Sequence, residues 1–230
     1  DECQDMTALD RRNYTGYIHF LRGYAYYHIL MTCGPAILVG DEIFESNLDG
    51  PAYNTYRATY DETVEYICSE LETAAAYLPL KASIAQFERP TKGAAYALIA
   101  RLRLHAASPL FNGTSTARLY FGNWKRTYDK EYYVNQNYSE EKWALAAAAC
   151  KRVIDMNVYE LFTVSKDQNT PQLPAGVPTE NFPNGAGGID PFKSYSHMFT
   201  GDEPFKNNNE VIWGRISEEV KGYTQQSFPQ

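Results

Sequence analysis

Residues 111–139, FNGTSTARLYFGNWKRTYDKEYYVNQNYS, hold the side chains best suited to ligand chemistry. The flat face of a Trp or Tyr stacks on the C–H face of a pyranose ring, and neighbouring Asn, Asp and Arg side chains bond its hydroxyls. Trp124, with Asn123, Tyr120, Arg126 and Tyr128 around it, forms such a set, and these five are the candidate ligand-binding residues. The competing use of the same rings is to pack the segment onto its flanking helices, because aromatic side chains supply large buried areas. The segment is far longer than the usual helix–helix connection of about 2–8 residues. Its density of aromatics argues against disorder.

Catalytic constellations are missing from the sequence. It contains no G-x-S-x-G elbow, no H-E-x-x-H, no P-loop and no dinucleotide-binding glycine pattern. Gly185–Gly188 lacks the following helix and lysine of a phosphate loop and reads as a flexible turn. His19, His28, His105 and His197 show no metal-ligand spacing; His28 and His105 fall on helix faces and read as structural. Asp41, Glu42 and Glu45 cluster in one loop and Asp202-Glu203 in another, but a glycosidase pair needs carboxyls about 5–10 Å apart, which spacing alone does not supply. No calcium-loop pattern occurs. The four cysteines, Cys3, Cys33, Cys68 and Cys150, have no zinc spacing, and Cys68 and Cys150 read as small buried hydrophobes. No catalytic residue, metal site or cofactor is therefore expected. Three N-x-[S/T] triplets, at Asn13, Asn112 and Asn137, would carry meaning only in a eukaryotic secreted protein.

The chain has 230 residues and a formal net charge of −7, with 19 Tyr, 11 Phe and 3 Trp. An acidic chain without a basic stripe is a poor partner for a phosphate backbone, so nucleic acid is set aside. No apolar run reaches the roughly 20 residues that span a bilayer. Asp10, Arg11, Arg12 and Arg22 interrupt any signal-peptide pattern in the first thirty residues. The opening DECQDMTALDRR reads as the interior of a protein and the closing GYTQQSFPQ lacks a final element, so a longer parent is expected.

Four helices must position the aromatic segment. The first is expected over about Ala8–Thr32, with Leu9, Tyr17, Ile18, Leu21, Ala25, His28 and Ile29 as its apolar stripe and Gly34-Pro35 as its stop. After a loop with a short extended piece at Ala36–Val39, the second runs over about Tyr60–Tyr77, opened by the capping box Thr59/Glu62 and striped by Val64, Ile67, Cys68, Leu71, Ala75 and Leu78. The third is capped by Thr91, buries Ala94, Ala95, Leu98, Ile99, Leu102 and Ala106, and stops at Pro109. The fourth runs over about Glu140–Met156, capped by Ser139, with Trp143, Ala146, Ala147, Cys150, Val153 and Ile154 inward. Tyr159–Val164 and Glu210–Ile216 read as strands, and 165–208 as an irregular excursion. Gly16 and Gly93, Leu21 and Leu98, and His28 and His105 share one spacing, so the helices read as a hairpin used twice, each burying its apolar face on a neighbour. The organisation expected is one domain over 1–230: a first hairpin at 8–79, a second at 89–156 carrying the aromatic insertion 111–139, and a loop-rich region at 157–230.

Helix four, EEKWALAAAACKRVIDMN, resembles the second helix of a tetratricopeptide repeat. Four longer pieces, in order, resemble the SusD/RagB family of outer-membrane glycan-binding lipoproteins: FLRGYAYYHILMTCGPAILV at 20–39, TYDETVEYICSELETAAAYLP at 59–79, RPTKGAAYALIARLRLHAASPLFNG at 89–113 and YSEEKWALAAAACKRVIDMNVYELF at 138–162, followed by NNNEVIW at 207–213. Gly23 stands where the family usually has Ala, and Pro35 comes early. The resemblance implies a mainly α fold, a SusD-like α-α superhelix of tetratricopeptide-like hairpins with long irregular loops and a few short strands. It implies surface capture of an oligosaccharide, or of a peptide in some members, and a TonB-dependent outer-membrane transporter (SusC-like) as partner. It further implies an outer-membrane location through a lipidated cysteine outside this chain; Cys3 is not in a lipobox. The alternative from another class is a tetratricopeptide-type adaptor that binds a protein segment.

Overall fold

The structure is a computed structural model. It describes residues 5–43, 45, 47, 49, 50, 56–200 and 208–214. Among these are six α-helices: α1 (Ala8–Cys33), α2 (Tyr60–Tyr77), α3 (Lys92–Ala107), α4 (Ser115–Phe121), α5 (Glu140–Ile154) and α6 (Pro191–Thr200). One two-stranded antiparallel sheet joins β1 (Val164–Ser165) to β2 (Ile189–Asp190), with Val164 opposite Asp190. The fold is mainly α, as the helical periodicity requires. The described residues of Asp1–Ala82 and Arg89–Asp155 form one compact unit, and those of Ser83–Glu88 and Met156–Gln230 another.

In the first unit α1 packs on α2, α2 on α3 and α3 on α5. The capping predictions hold for two helices. Thr59 accepts from the Glu62 N–H while the Glu62 carboxylate accepts from the Thr59 N–H, and Thr91 accepts from the Ala94 N–H. The α2 stripe is buried throughout, and that of α3 is buried except for Leu98, which is half-buried. α3 also buries Ala100 and Ala107, because it touches both α2 and α5 and needs small residues on two sides.

The stripe expected on α1 is displaced. Leu9, Ile18, Leu21 and Ile29 are exposed, and the buried face is Gly16, Phe20, Gly23, Tyr27 and Leu30. The cause lies in the partner. A Cβ on Gly16 would come within 2.9 Å of Leu78 Cδ2, and one on Gly23 within 2.9 Å of Leu71 Cγ. α2 supplies the bulk at this contact and α1 supplies the space. α5 departs in the same way: Ala146 is buried on the α3 side, whereas Trp143, Ala147 and Ile154 are exposed and Cys150 and Val153 half-buried.

Ser139 occupies the N-cap of α5, but its hydroxyl makes no cap bond. Asn112 is engaged there instead. Fully buried, it accepts from the Ser139 N–H (2.9 Å) and donates to the Ser139 carbonyl (2.9 Å) and to the Ala107 carbonyl (3.4 Å). One amide thus ties the end of α3 to the start of α5 and closes the insertion at its base.

In the second unit α6 begins at Asp190, a fully buried carboxylate that accepts from the Lys193 N–H (2.9 Å) and the Thr170 hydroxyl (2.8 Å). The strand expected over Tyr159–Val164 reduces to β1, because side chains take backbone donors a ladder would use, the Val164 N–H going to the Ser194 hydroxyl (2.9 Å). Phe162 N–H donates to the Glu210 carboxylate (2.8 Å), and Asn209 donates to Glu160 Oε1 (2.8 Å). Residues 210–214 are not strand, and 215–216 lie outside the described residues. Gly185–Gly188 forms a tight turn held against 178–180 by Ala186 N–H to the Pro178 carbonyl and Gly187 N–H to the Glu180 carbonyl. Cys33, Cys68 and Cys150 are free thiols, and burial pushes Cys68 up to about 12, where it is inert.

Candidate functional site

The insertion is folded and carries a helix, α4, that no sequence signal marked. Thr114 caps it by accepting from the Ala117 N–H, and at seven residues it is too short for a periodic stripe to show. After α4 the chain turns back on itself: Tyr133 N–H donates to the Trp124 carbonyl, Arg126 N–H to the Glu131 carbonyl, and Lys125 bridges Tyr132. Tyr60 N–H, at the start of α2, donates to the Tyr133 carbonyl (2.7 Å) and fastens this return to the helices.

The rings of the insertion divide into two populations. Phe111 stacks on Tyr60 at 4.3 Å between centroids, Phe121 lies 5.7 Å beyond it, and Trp124 sits 6.0 Å from Phe121 and 4.7 Å from Tyr133. His105 joins this spine, with Nδ1 2.8 Å from the Tyr60 hydroxyl, and burial lowers its pKa. Tyr120 and Tyr128 instead face solvent, as does Asn123. Trp124 is half-buried. Of the five nominated residues the fold brings Arg126 and Tyr128 together, the guanidinium carbon 5.1 Å from the ring centroid, and Tyr56 adds a second exposed ring 4.2 Å from Tyr128.

Arg126 is the hub of the return. Its side chain is 7% exposed, and all three guanidinium nitrogens are engaged. Nε and Nη2 hold Asp129 (3.2 and 2.7 Å), Nη1 donates to Glu62 Oε2 (3.0 Å), and Nη2 also meets Glu131. Burial works against its charge, and Asp129 and Glu62 outweigh it, so the pKa stands above the ordinary arginine value. Glu62 is held below the ordinary carboxyl value by the Thr59 N–H first, then by the Thr59 hydroxyl and Arg126. For Asp129 desolvation opposes ionisation, but the Glu131 N–H and Arg126 prevail and its pKa is lowered.

A group whose folded pKa is depressed stabilises the fold above its unfolded value, near pH 4, and loses that contribution as pH falls through the folded value. Melting temperature is therefore expected to fall steadily below about pH 4. Glu62→Gln should flatten part of that acid limb in a melting series across pH. An acid limb identical in the variant would remove Glu62 from the account.

Beside this hub lies a cleft of about 580 Å³ between the first turn of α2 and the outgoing arm of the insertion. Asp61 and Glu62 line it on the helix side, and Glu131, Tyr132, Asn135 and Asn137 on the other. Its volume is that of a small-ligand site. Lys125 covers one face of Tyr132, its ammonium 4.2 Å from the ring centroid. Gln136 also contributes to the wall, its Nε2 donating to the Val134 carbonyl (2.7 Å). None of the five nominated residues lines this cleft, and nothing in the sequence marks its helix side, because Thr59 and Glu62 announce themselves only as a cap. Asp41, from the acidic loop, is paired with Arg22 (2.7 Å); Asp202-Glu203 lies outside the described residues. Among the described residues there is no group of His, Cys, Asp and Glu able to hold a metal ion, and no helix is long and apolar enough to cross a membrane.

A sequence model of the SusD-like family, described as starch-binding associating with outer membrane, matches residues 2–104. No curated protein matches. Among solved structures, the chain is similar to BT4246, with 25% identity and a TM-score of 0.68 over 92% of this chain and 36% of that one. It is also similar in fold to a SusD-like protein, BF3747, from Bacteroides fragilis, with 19% identity and a TM-score of 0.57 over 93% of this chain and 29% of that one. The chain thus spans about a third of the length of the structures it matches. The first part of the chain, from α1 into α3, thus matches the SusD-like family, and the chain follows the helical fold of these structures through nine-tenths of its length.

Proposed function

We propose that this chain binds an oligosaccharide in the cleft beside Arg126, as part of a surface-exposed, lipid-anchored protein that delivers the glycan to a TonB-dependent outer-membrane transporter. The cleft itself carries the reading. It sets an aromatic ring, Tyr132, among the amides and carboxylates of Asn135, Asn137, Asp61 and Glu131, the groups that hydrogen-bond sugar hydroxyls. Tyr128 and Tyr56 stand as exposed rings beside Arg126. The starch-binding description of the family supports the same ligand class. Binding proceeds without turnover, its affinity coming from stacking and hydroxyl contacts.

Isothermal titration of the protein against amylopectin and a panel of other polysaccharides tests this. Tyr132→Ala is expected to weaken binding about tenfold, the scale of one aromatic contact with its buried area. Trp124→Ala acts through the ring spine and should lower stability along with affinity. Peptide binding with silence across every glycan would replace the reading with the peptide-binding alternative. Recovery of a soluble partner in place of a membrane transporter, on affinity purification of the full-length protein, would favour the adaptor.

A further inference from the structure

The cleft is asymmetric in charge. Its anions face the ligand space and the two cations paired with them stand behind. The side chains of Asp61, Glu62 and Glu131 are 35, 51 and 59% exposed. The two cations that pair with them, Arg126 and Lys142, are only 7 and 14% exposed. Both are committed to the protein's own acceptors. Arg126 spends its three nitrogens on Glu62, Asp129 and Glu131, and Lys142 donates to Asp61 (2.6 Å) and to the Phe111 carbonyl (3.1 Å). Lys125 lies against the Tyr132 ring, on the insertion side of the cleft.

We propose, on the basis of the glycan reading above, that this cleft selects neutral glycans and excludes those bearing carboxylate or sulfate groups. A carboxylate oxygen only accepts, so Asp61, Glu62 and Glu131 call for hydroxyl donors, which a neutral sugar offers around its whole ring. A uronate or sulfated residue brings a further acceptor with a full negative charge. At contact distance it meets the exposed carboxylates before the cations paired behind them and is repelled, and the Arg126 guanidinium, 7% exposed, faces those carboxylates and not the ligand. The exclusion is electrostatic and partly solvent-exposed, so added salt weakens it, the screening length falling from about 10 Å at 0.1 M to about 3 Å at 1 M.

The test uses one polymer in two charge states. Amylopectin, and the same amylopectin oxidised at C6 to the uronate, are titrated into the protein at 0.1 M and 1 M salt. If amylopectin itself does not bind, the neutral polysaccharide that does bind in the panel, and its own C6-oxidised form, take its place. The neutral polymer is expected to bind at least tenfold more tightly at low salt, and the gap should shrink at 1 M. Glu131→Gln should narrow the gap at low salt by improving retention of the oxidised polymer. Equal or tighter binding of the oxidised form overturns the inference and leaves the glycan reading standing. A gap unchanged by salt or by Glu131→Gln assigns the discrimination to shape and also overturns it. Silence of every neutral glycan overturns the glycan reading itself, and this inference with it.

Discussion

Gly113→Ala is expected to destabilise the protein by about 4 kcal/mol, near the top of the range for a point substitution. Two effects add. Gly113 has φ +57, a left-handed conformation that costs any residue with a Cβ about 1 kcal/mol or more. The Cβ would also fall on the carbonyl group of Asn137, backbone against backbone, where no flexible side chain can yield. That contact is where the two ends of the insertion cross, next to the Asn112 clamp and under the Arg118 guanidinium, which donates to both the Gly113 carbonyl (3.0 Å) and the Gln136 carbonyl (3.1 Å). Separating the ends breaks these bonds together. A thermal melt should show a fall of about 10 °C for a chain of this size. Gly176→Ala is the control: its φ is +89 but its Cβ would meet open space, so it should lose only the conformational share. If both variants melt alike, the crossing does not hold the insertion.

The contrast between what sequence order discloses and what it conceals follows the range of the interactions. The Thr59/Glu62 box and the Thr91 cap were legible because each is closed by bonds three residues apart. The α2 stripe was legible because the helix presents a single apolar face to the unit. On α1 two faces competed, and the one richer in aliphatics is the exposed one; the choice depends on Leu71 and Leu78 filling the space that Gly16 and Gly23 leave. No local pattern encodes that complementarity. The SusD-like resemblance was legible in four separate pieces; the family match covers the first two and most of the third, and the shared fold agrees with it. Of the candidate cleft, the sequence marked a segment and none of the lining residues. Residue types marked 111–139 as the ligand-bearing segment, but the cleft has a second wall on α2, and its carboxylates are positioned by Arg126 across 64 residues of chain. Aromatic composition likewise could not separate the stacked spine through Trp124 from the exposed pair Tyr56 and Tyr128, since both uses call for the same rings.

Arg126→Ala should cost about 2 kcal/mol of stability and, separately, most of the glycan affinity. The magnitude lies between two limits. Removing one member of a fully buried ion pair costs about 3–5 kcal/mol, because an uncompensated charge stays behind. Removing an exposed pair costs about 0–1 kcal/mol. Here the arginine is buried but Glu62, Asp129 and Glu131 are 35–59% exposed, so each can recover water on losing its partner. Affinity falls for a different reason. With the hub gone, three carboxylates converge without a cation, and they relieve their repulsion by moving apart, which takes Glu62 and Glu131 out of position on the two walls of the cleft. Arg126→Lys should rescue little, since a single ammonium cannot replace a planar fork that serves three partners at once. The acid response supplies an independent check. Glu62 and Asp129 lose the partner that helps depress their pKa values, which then rise toward the ordinary carboxyl range. The unfolded chain then binds fewer extra protons as pH falls, so the acid limb of the melting profile should be shallower in Arg126→Ala than in the parent. An equal loss of stability with an unchanged acid limb would mean that Arg126 contributes by packing alone, and the hub would no longer account for the geometry of the cleft.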